Sequence, residues 1–220
     1  MITQIYETQS PQEATALIKA GVDHIGVLVG RGEFPREKSI EQTRDIFAVI
    51  KPPAKKIALP LTTDLAYIKK VIEQTAPDIV QIGALIDQIS PEDVQMLKEA
   101  YPSTRMMRVI PVTGPESITQ ARAYDGIADW LLLDTLGQDG RIIGATGQTH
   151  DWQISKKIVE QVSIPVILAG GLGPENVAES IFTVHPQGVD CKTKTDKPGK
   201  SDKDLDLVKA FVIAAQQTAS

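Results

Sequence analysis

An acidic residue closes a short apolar run near the middle of the chain. Leu131, Leu132 and Leu133 lead directly into Asp134, after which the sequence is polar and rich in glycine as far as Trp152. A carboxyl group at the end of a buried strand is well placed to give or take a proton. Capping a loop amide is the competing role for an aspartate in this position.

Two adjacent glycines form a second candidate. Gly170 and Gly171 follow an apolar run at 165–169 and precede Pro174, a residue that suits the first turn of a helix. Glycines at such a point expose backbone N–H groups beside a helix N-terminus, where anions such as phosphate bind. A tight strand-to-helix turn is the alternative use of the same residues.

A run of lysines follows the last apolar segment of strand length. Lys192 and Lys194 come first and would bind phosphate as point charges. Acidic residues are interspersed with the later lysines, which indicates a solvated loop. This interpretation covers Lys197, Lys200 and Lys203.

The elements that must position these residues alternate along the chain. Runs of strand length, rich in Val, Ile and Leu, each precede a segment with helical spacing, as in parallel strands covered by helices. The predicted strands cover residues 2–7, 24–29, 56–61, 79–83, 106–112, 130–135, 165–170 and 188–192. The predicted helices cover residues 11–20, 39–50, 64–75, 91–100, 115–124, 152–162, 174–182 and 204–217.

This alternation predicts a (β/α)₈ TIM barrel that forms a single domain over residues 1–220. An open doubly wound sheet is the alternative, but its glycine fingerprint is missing after the first strand. In a barrel the active site lies at the carboxyl ends of the strands, so Asp134, Gly170 and Lys192 would share one rim. The loop after Asp134, which includes Gly140, would be free to fold over a ligand.

Composition narrows the classes of partner. The net charge of −5 argues against a nucleic-acid surface, and no apolar stretch is long enough to span a membrane. The single cysteine, and a start without a basic region or long apolar run, predict a cytoplasmic protein. The three histidines lack metal-ligand spacing, so no metal site is expected.

Several stretches together resemble the phosphoribosylanthranilate isomerase family of tryptophan biosynthesis. They are LLLDT with GATGQTHDW, PVILAGGLGPENV, GVD leading to PGKSD, AGVDHIGVLV with FPREKS, and DIVQIGA. Their order and spacing match over nearly the whole chain. The resemblance implies an Amadori rearrangement without metal or cofactor, in which an aminoribose ring opens and a proton moves to give a ketose.

The resemblance also implies roles for individual residues. Asp134 falls on the general acid that protonates the ring oxygen. Arg36 falls on the arginine that holds the anthranilate side of the substrate, and Asp190 falls on the aspartate that faces the sugar. Gly170 and Gly171 fall on the glycines whose backbone amides hold the phosphate.

Three positions depart from the family pattern. The family's general base is a cysteine at the end of the first strand, and Tyr6 stands there in QIYE. The histidine of the fourth-strand pattern VQLHG falls on Gly83, while Gln81 of the same strand is a candidate substrate ligand. A glycine of the phosphate loop after the eighth strand falls on Lys194.

The missing cysteine leaves the identity of the base open. The pKa of a tyrosine is ordinarily about 10, so Tyr6 would act as a base only beside a cation. Glu7 suits the role better by type, although strand alternation turns it outward if Tyr6 faces inward, unless the strand end twists. Loss of a general base costs about a hundredfold to ten-thousandfold in rate.

The sequence therefore favours an isomerase of a phosphorylated aminosugar, a monomer or homodimer, with Asp134 as acid and Glu7 or Tyr6 as base. A divergent enzyme for another sugar phosphate is one alternative. A non-catalytic protein that binds a phosphorylated ligand is another, because the barrel fold hosts many functions.

Overall fold

The computed structural model describes residues 1–137, 143–144, 147–200 and 202–218. Its strands are β1 Ile2–Ile5, β2 His24–Leu28, β3 Lys55–Leu59, β4 Ile79–Ile82, β5 Arg105–Pro111, β6 Trp130–Asp134, β7 Val166–Leu168 and β8 Gly188–Cys191. Its helices are α1 Pro11–Lys19, α2 Ile40–Ala48, α3 Leu65–Thr75, α4 Pro91–Ala100, α5 Glu116–Ala123, α6 Trp152–Gln161, α7 Val177–Val184 and α8 Leu205–Thr218, with a short 3₁₀ helix at Thr193–Thr195.

The strands form a closed barrel in chain order, and all neighbouring pairs are parallel. Strand β8 closes the barrel on β1, with Cys191 beside Ile5. The predicted TIM barrel is confirmed. Most observed strands are shorter than predicted, because hydrogen bonding between strands stops where the chain turns into the loops of the rim. No helix among the described residues is long and apolar enough to cross a membrane.

Serine residues fix the starts of three helices. The side chains of Ser10, Ser39 and Ser90 each accept a hydrogen bond from the backbone N–H three residues later. Pro11 and Pro91 then occupy the first turns of α1 and α4, where the missing N–H costs nothing. Short polar segments thus set where the chain leaves the rim and enters each helix.

Strand alternation sorts the side chains into two cores. One cluster fills the barrel interior and includes Tyr6, Ile57, Met107 and Leu132. The other packs the outer face of the strands against the helices. Polar groups also cross the interior, since Gln4 of β1 donates to Gln81 of β4 at 3.3 Å although these strands are not neighbours.

Arg108 of β5 is fully buried and fastens the loop that follows β4. Its guanidinium donates to the carbonyl groups of Ile82, Ala84 and Leu85 at 2.9, 2.7 and 2.9 Å. The same group lies over the ring of Tyr124, 5.2 Å from its centroid. Burial lowers the pKa of Arg108. This part of the rim is therefore held from inside the protein.

The loop after β6 begins with a bridge between Leu136 and Ile143, which run antiparallel. Gly144 then donates its backbone N–H to the carbonyl of Thr135 at 2.7 Å. Residues 138–142 and 145–146, and with them Gly140, lie outside the described residues. The proposal that this loop folds over a ligand stays a prediction.

Candidate active site

Two adjoining cavities lie at the carboxyl ends of the strands. We call the first the central cavity; its volume is about 70 Å³, and its polar lining is Tyr6, Glu7, Gln81, Asp134, Asp190 and Lys192. We call the second the glycine cavity; its volume is about 30 Å³, and it is lined mainly by Gly147, Gly170, Gly171, Leu172, Thr193 and Lys194. Asp134, Asp190 and Lys192 line both, so one continuous site joins carboxyl groups to a glycine turn.

Asp134 is the last residue of β6 and stands at the junction of the two cavities. Its Oδ1 accepts the backbone N–H of Thr135 at 2.7 Å. Its Oδ2 lies so close to Gly144 that a β-carbon there would collide with it. Burial raises the pKa of Asp134 to about 7, and the hydrogen bond from Thr135 opposes the rise. The carboxyl group therefore carries a proton for much of the time at neutral pH.

Asp190 of β8 is a second buried carboxyl group in the same site. Its Oδ1 has no hydrogen-bond partner in the part of the chain that the structure describes. Burial and, to a lesser extent, the nearby charge of Asp134 raise the pKa of Asp190 to about 8, although a hydrogen bond from Gln4 acts in the opposite direction. Two acids in one desolvated pocket are a common arrangement for proton transfer.

The Asp190→Asn variant is expected to gain stability relative to the wild type as the pH rises. Because the pKa of Asp190 is raised on folding, the folded state binds more protons than the unfolded chain between pH 3.8 and about pH 8. Stability therefore falls as pH rises through that window, and asparagine removes this loss. When the pH is raised from 5 to 8, the free energy of unfolding of the variant should increase relative to that of the wild type by on the order of 3 kcal/mol.

Urea unfolding at the two pH values measures this difference. The control is Asp87→Asn, because Asp87 is exposed. If the free energies of unfolding of Asp190→Asn and the wild type differ by the same amount at pH 5 and at pH 8, the pKa of Asp190 is not raised on folding and the prediction is wrong.

Tyr6 points into the barrel, a direction that the sequence left open. Its ring lies against Gly26 of β2, where a β-carbon would collide with it. Its hydroxyl group is buried and has no hydrogen-bond partner among the described residues. Burial, together with the charge of Asp190, raises the pKa of Tyr6 well above its ordinary value. Tyr6 therefore keeps its proton, which argues against a role as general base.

Glu7 also reaches the central cavity. The β1 ladder ends at Ile5, so alternation no longer fixes the direction of the Glu7 side chain, which turns to the rim. Its Oε2 lies 3.2 Å from Nη1 of Arg36 and 3.6 Å from Nζ of Lys192. Glu7 therefore contacts two cationic side chains at the rim.

Arg36 stands behind Glu7 and is not among the residues that line either cavity. Besides Glu7, its guanidinium donates to Oδ2 of Asp196 and to the carbonyl of Lys200, both at 2.9 Å. The backbone of Arg36 has a positive φ of 72°. The family resemblance implied that Arg36 binds the anthranilate side of the substrate. In the structure its guanidinium contacts the carboxylates of Glu7 and Asp196.

Gly170 and Gly171 adopt the left-handed conformation, with φ of 81° and 61°. A β-carbon on Gly171 would collide with the backbone of Gln148, so only glycine fits this turn. The backbone N–H groups of Gly171 and Leu172 have no hydrogen-bond partner among the residues described. Both residues line the glycine cavity, where backbone N–H groups of this kind bind anions.

The two lysines after β8 differ in position. Lys192 is half-buried, lines both cavities and lies near Glu7. Lys194 lines the glycine cavity, but it is exposed and its Nζ pairs with Glu175 at 3.0 Å. Lys192 is therefore the better placed of the two to contribute charge inside the site.

The prediction that Lys203 lies on a solvated loop is wrong. Its side chain is fully buried, and Nζ donates to Oδ1 of Asp196 at 2.7 Å and to the carbonyl of Lys192 at 3.0 Å. Its backbone N–H donates to Glu13 of α1 at 2.7 Å. Lys197 and Lys200 are exposed, as predicted. An antiparallel bridge between Asp196 and Lys203 brings the two residues together. The alternation of charges along the sequence does not reveal this pairing.

Two other titratable groups near the rim are accounted for by local contacts. Cys191 donates its thiol to the carbonyl of Leu172 at 2.9 Å, and burial raises its pKa to about 12, so it is no substitute for the family's cysteine. The ring of His150 contacts the hydroxyl groups of Thr135 and Ser155 at 3.3 and 2.7 Å. Burial lowers the pKa of His150 to about 4 and keeps the ring neutral.

The sequence and the fold have counterparts among known proteins. The family model for N-(5'phosphoribosyl)anthranilate (PRA) isomerase matches residues 4–214. The chain belongs to this family. It is 34% identical to the N-(5'-phosphoribosyl)anthranilate isomerase of Methanocella arvoryzae over 98% of both chains. It is 32% identical to that of Haloferax volcanii over 93% of this chain and 88% of the relative.

Solved structures of PRA isomerases share the fold. The enzyme from Pyrococcus furiosus superposes with a TM-score of 0.79 at 26% identity and 99% coverage of each chain. A PRA isomerase in complex with reduced 1-(o-carboxyphenylamino)-1-deoxyribulose 5-phosphate gives a TM-score of 0.78 at 20% identity, with 99% of this chain and all of that chain covered. The resemblance found in the motifs is confirmed.

Proposed function

We propose that this protein isomerises N-(5'-phosphoribosyl)anthranilate to the corresponding 1-amino-1-deoxyribulose phosphate, and that it acts without the family's cysteine. The observation that carries the proposal is Asp134, a carboxyl group with a pKa of about 7 at the junction of the two cavities. An acid with a pKa near the working pH is suited to proton donation. Family membership supplies the substrate class.

Asp134 is the proposed general acid. Its proton passes to the ring oxygen of the aminoribose while the bond between C1 and that oxygen breaks. The electron pair of the bond stays on the oxygen, and the nitrogen lone pair forms a C1–N iminium. Transfer from a group already protonated at neutral pH avoids forming an alkoxide in the desolvated cavity.

Glu7 is the proposed general base. It removes the proton from C2, the released electron pair forms a C1–C2 double bond, and the iminium electrons return to nitrogen. The resulting enolamine gives the ketose when C1 gains a proton and the C2 hydroxyl loses one. Glu7 is preferred to Tyr6 because its carboxyl group lines the central cavity beside Arg36 and Lys192, whereas burial raises the pKa of Tyr6 well above its ordinary value.

The remaining residues are proposed to bind substrate. The backbone N–H groups of the turn at Gly170, Gly171 and Leu172 would hold the phosphate, with Lys192 adding charge beside them. Lys194 would contribute from the exposed edge. Gln81 would bind the substrate from the wall of the central cavity.

Two further residues complete this assignment. Asp190 lines both cavities and is proposed to face the sugar. Arg36 is proposed to hold Glu7 in place rather than to bind the anthranilate directly, because its two terminal nitrogens already donate to protein oxygens.

The chemistry proposed needs no metal or cofactor, since each step is a proton transfer. We also propose a cytoplasmic location and a monomer or homodimer; a relative from Thermotoga maritima is described as a dimeric phosphoribosylanthranilate isomerase. Neither another sugar phosphate as substrate nor a non-catalytic binding role has a specific observation in its favour among the described residues.

The test is to mix purified protein with freshly prepared N-(5'-phosphoribosyl)anthranilate and follow the anthranilate fluorescence. We expect the fluorescence of the substrate to decay faster than in buffer, in proportion to the protein concentration, with formation of the ketose confirmed by mass and NMR. A decay equal to the buffer control would contradict the proposed function.

A further inference from the structure

Two buried polar atoms without partners belong to residues that line the central cavity on neighbouring parts of the barrel, Tyr6 directly after β1 and Asp190 on β8. They are the hydroxyl oxygen of Tyr6 and Oδ1 of Asp190, and within the described part of the chain neither has a hydrogen-bond partner. Tyr6 is 4% exposed and Asp190 is 8% exposed, so bulk water does not satisfy them. A buried polar atom without a partner costs free energy, so this pair indicates that a ligand supplies the missing hydrogen bonds.

The two atoms have complementary hydrogen-bonding character. A phenol that keeps its proton donates, and a carboxyl oxygen accepts. One hydroxyl group can accept from Tyr6 and donate to Asp190 at the same time. The apolar side chains of Ile57, Val109 and Leu132 lie in the same interior cluster as Tyr6, so such bonds would form in a dry environment.

The fit of Tyr6 also indicates that it is part of the site. Its ring occupies space that exists only because position 26 is a glycine, since a β-carbon there would collide with the ring. The family resemblance puts a smaller cysteine at position 6. Tyr6 and Gly26 therefore act as a matched pair, and the ring brings a hydroxyl group to a depth that a cysteine side chain does not reach.

We propose that the Tyr6 hydroxyl and Oδ1 of Asp190 together bind the C2 hydroxyl of the aminosugar. This inference rests on the proposed function. Tyr6 directly precedes Glu7 in the chain, and both line the central cavity with Asp134. A C2 hydroxyl held by Tyr6 and Asp190 would place C2 in the cavity that Glu7 also lines. Tyr6 thus becomes a substrate-binding residue where the family has its base.

The test compares two ligands that differ by one hydroxyl group. The first is reduced 1-(o-carboxyphenylamino)-1-deoxyribulose 5-phosphate, and the second is the same compound without its C2 hydroxyl. Titration calorimetry measures the dissociation constant of each with the wild type and with Tyr6→Phe, which keeps the ring and removes only the hydroxyl. We expect the wild type to bind the first ligand about tenfold more tightly, and Tyr6→Phe to lose most of that preference.

The matched control is Tyr101→Phe, because the Tyr101 hydroxyl bonds to Glu73 at 2.6 Å on the protein surface. This variant should keep the tenfold preference. If the wild type prefers the first ligand and Tyr6→Phe retains the same preference, the role of Tyr6 is overturned while the proposed function stands. If the wild type binds neither ligand, both the proposed function and this inference are overturned.

Discussion

Replacing Asp134 with asparagine is expected to lower kcat/KM for N-(5'-phosphoribosyl)anthranilate by about a hundredfold to ten-thousandfold. Asparagine has nearly the same shape and still accepts the Thr135 N–H, but it has no acidic proton for the ring oxygen. The dissociation constant of the reduced product analogue should change little, because that ligand needs no proton transfer. The loss should therefore appear in kcat rather than in binding.

Asp87→Asn is the control for this variant and should retain wild-type kinetics, since Asp87 is exposed and away from both cavities. Fluorescence assays of the three proteins at one pH give the comparison. If Asp134→Asn keeps more than a tenth of the wild-type kcat, the assignment of the general acid is wrong.

Glu7→Gln should also lose about a hundredfold to ten-thousandfold in kcat. The amide preserves the size of the side chain but does not take the C2 proton. Because Glu7 pairs with Arg36 and Lys192, a structural effect must be separated from a chemical one. For that purpose Glu7→Ala is assayed with added formate, a small carboxylate that fits the space left by the side chain.

Formate should raise the rate of Glu7→Ala in a saturable manner and have no effect on the wild type. Glu160→Gln on the exposed face of α6 is the control and should behave as the wild type. If Glu7→Gln retains full activity, Glu7 is not the general base and another group removes the C2 proton. Lost activity in Glu7→Ala without rescue, accompanied by a lower melting temperature, would indicate that Glu7 acts only by holding Arg36 and Lys192.

The barrel and the acid were predictable because they depend on local patterns. Apolar runs followed by helical spacing define the units, and closure in chain order places every strand end on one rim. The position of Asp134 at the end of β6 follows directly from its place after three leucines. The left-handed turn at Gly170 and Gly171 likewise needs residues that tolerate a positive φ.

The parts of the site that the sequence did not reveal depend on contacts between distant segments. Glu7 returns to the cavity because the β1 ladder stops at Ile5, and alternation applies only within the ladder. Arg36 turns to Asp196, 160 positions away in the chain. Lys203 is buried through contacts with Asp196, Lys192 and Glu13. Charge patterning along the chain carries no information about such pairings.

The family's cysteine is the general base, yet its absence here leaves the proposed proton transfers unchanged. In the proposed mechanism the carboxyl group of Glu7, which contacts Arg36 and Lys192, takes the place of the thiol, while burial raises the pKa of Asp134 to about 7 and that of Asp190 to about 8. The pKa of Asp134, near 7, is the property on which the proposed mechanism depends most.

The dependence of kcat/KM on pH tests this claim most directly, because it reports the ionisation of the free enzyme. The wild type is assayed with N-(5'-phosphoribosyl)anthranilate from pH 6 to pH 9. Since only protonated Asp134 is active as the acid, kcat/KM should be constant below about pH 7 and fall about tenfold for each pH unit above it. A profile that stays flat to pH 9, or turnover no greater than that of Asp134→Asn, would contradict the account.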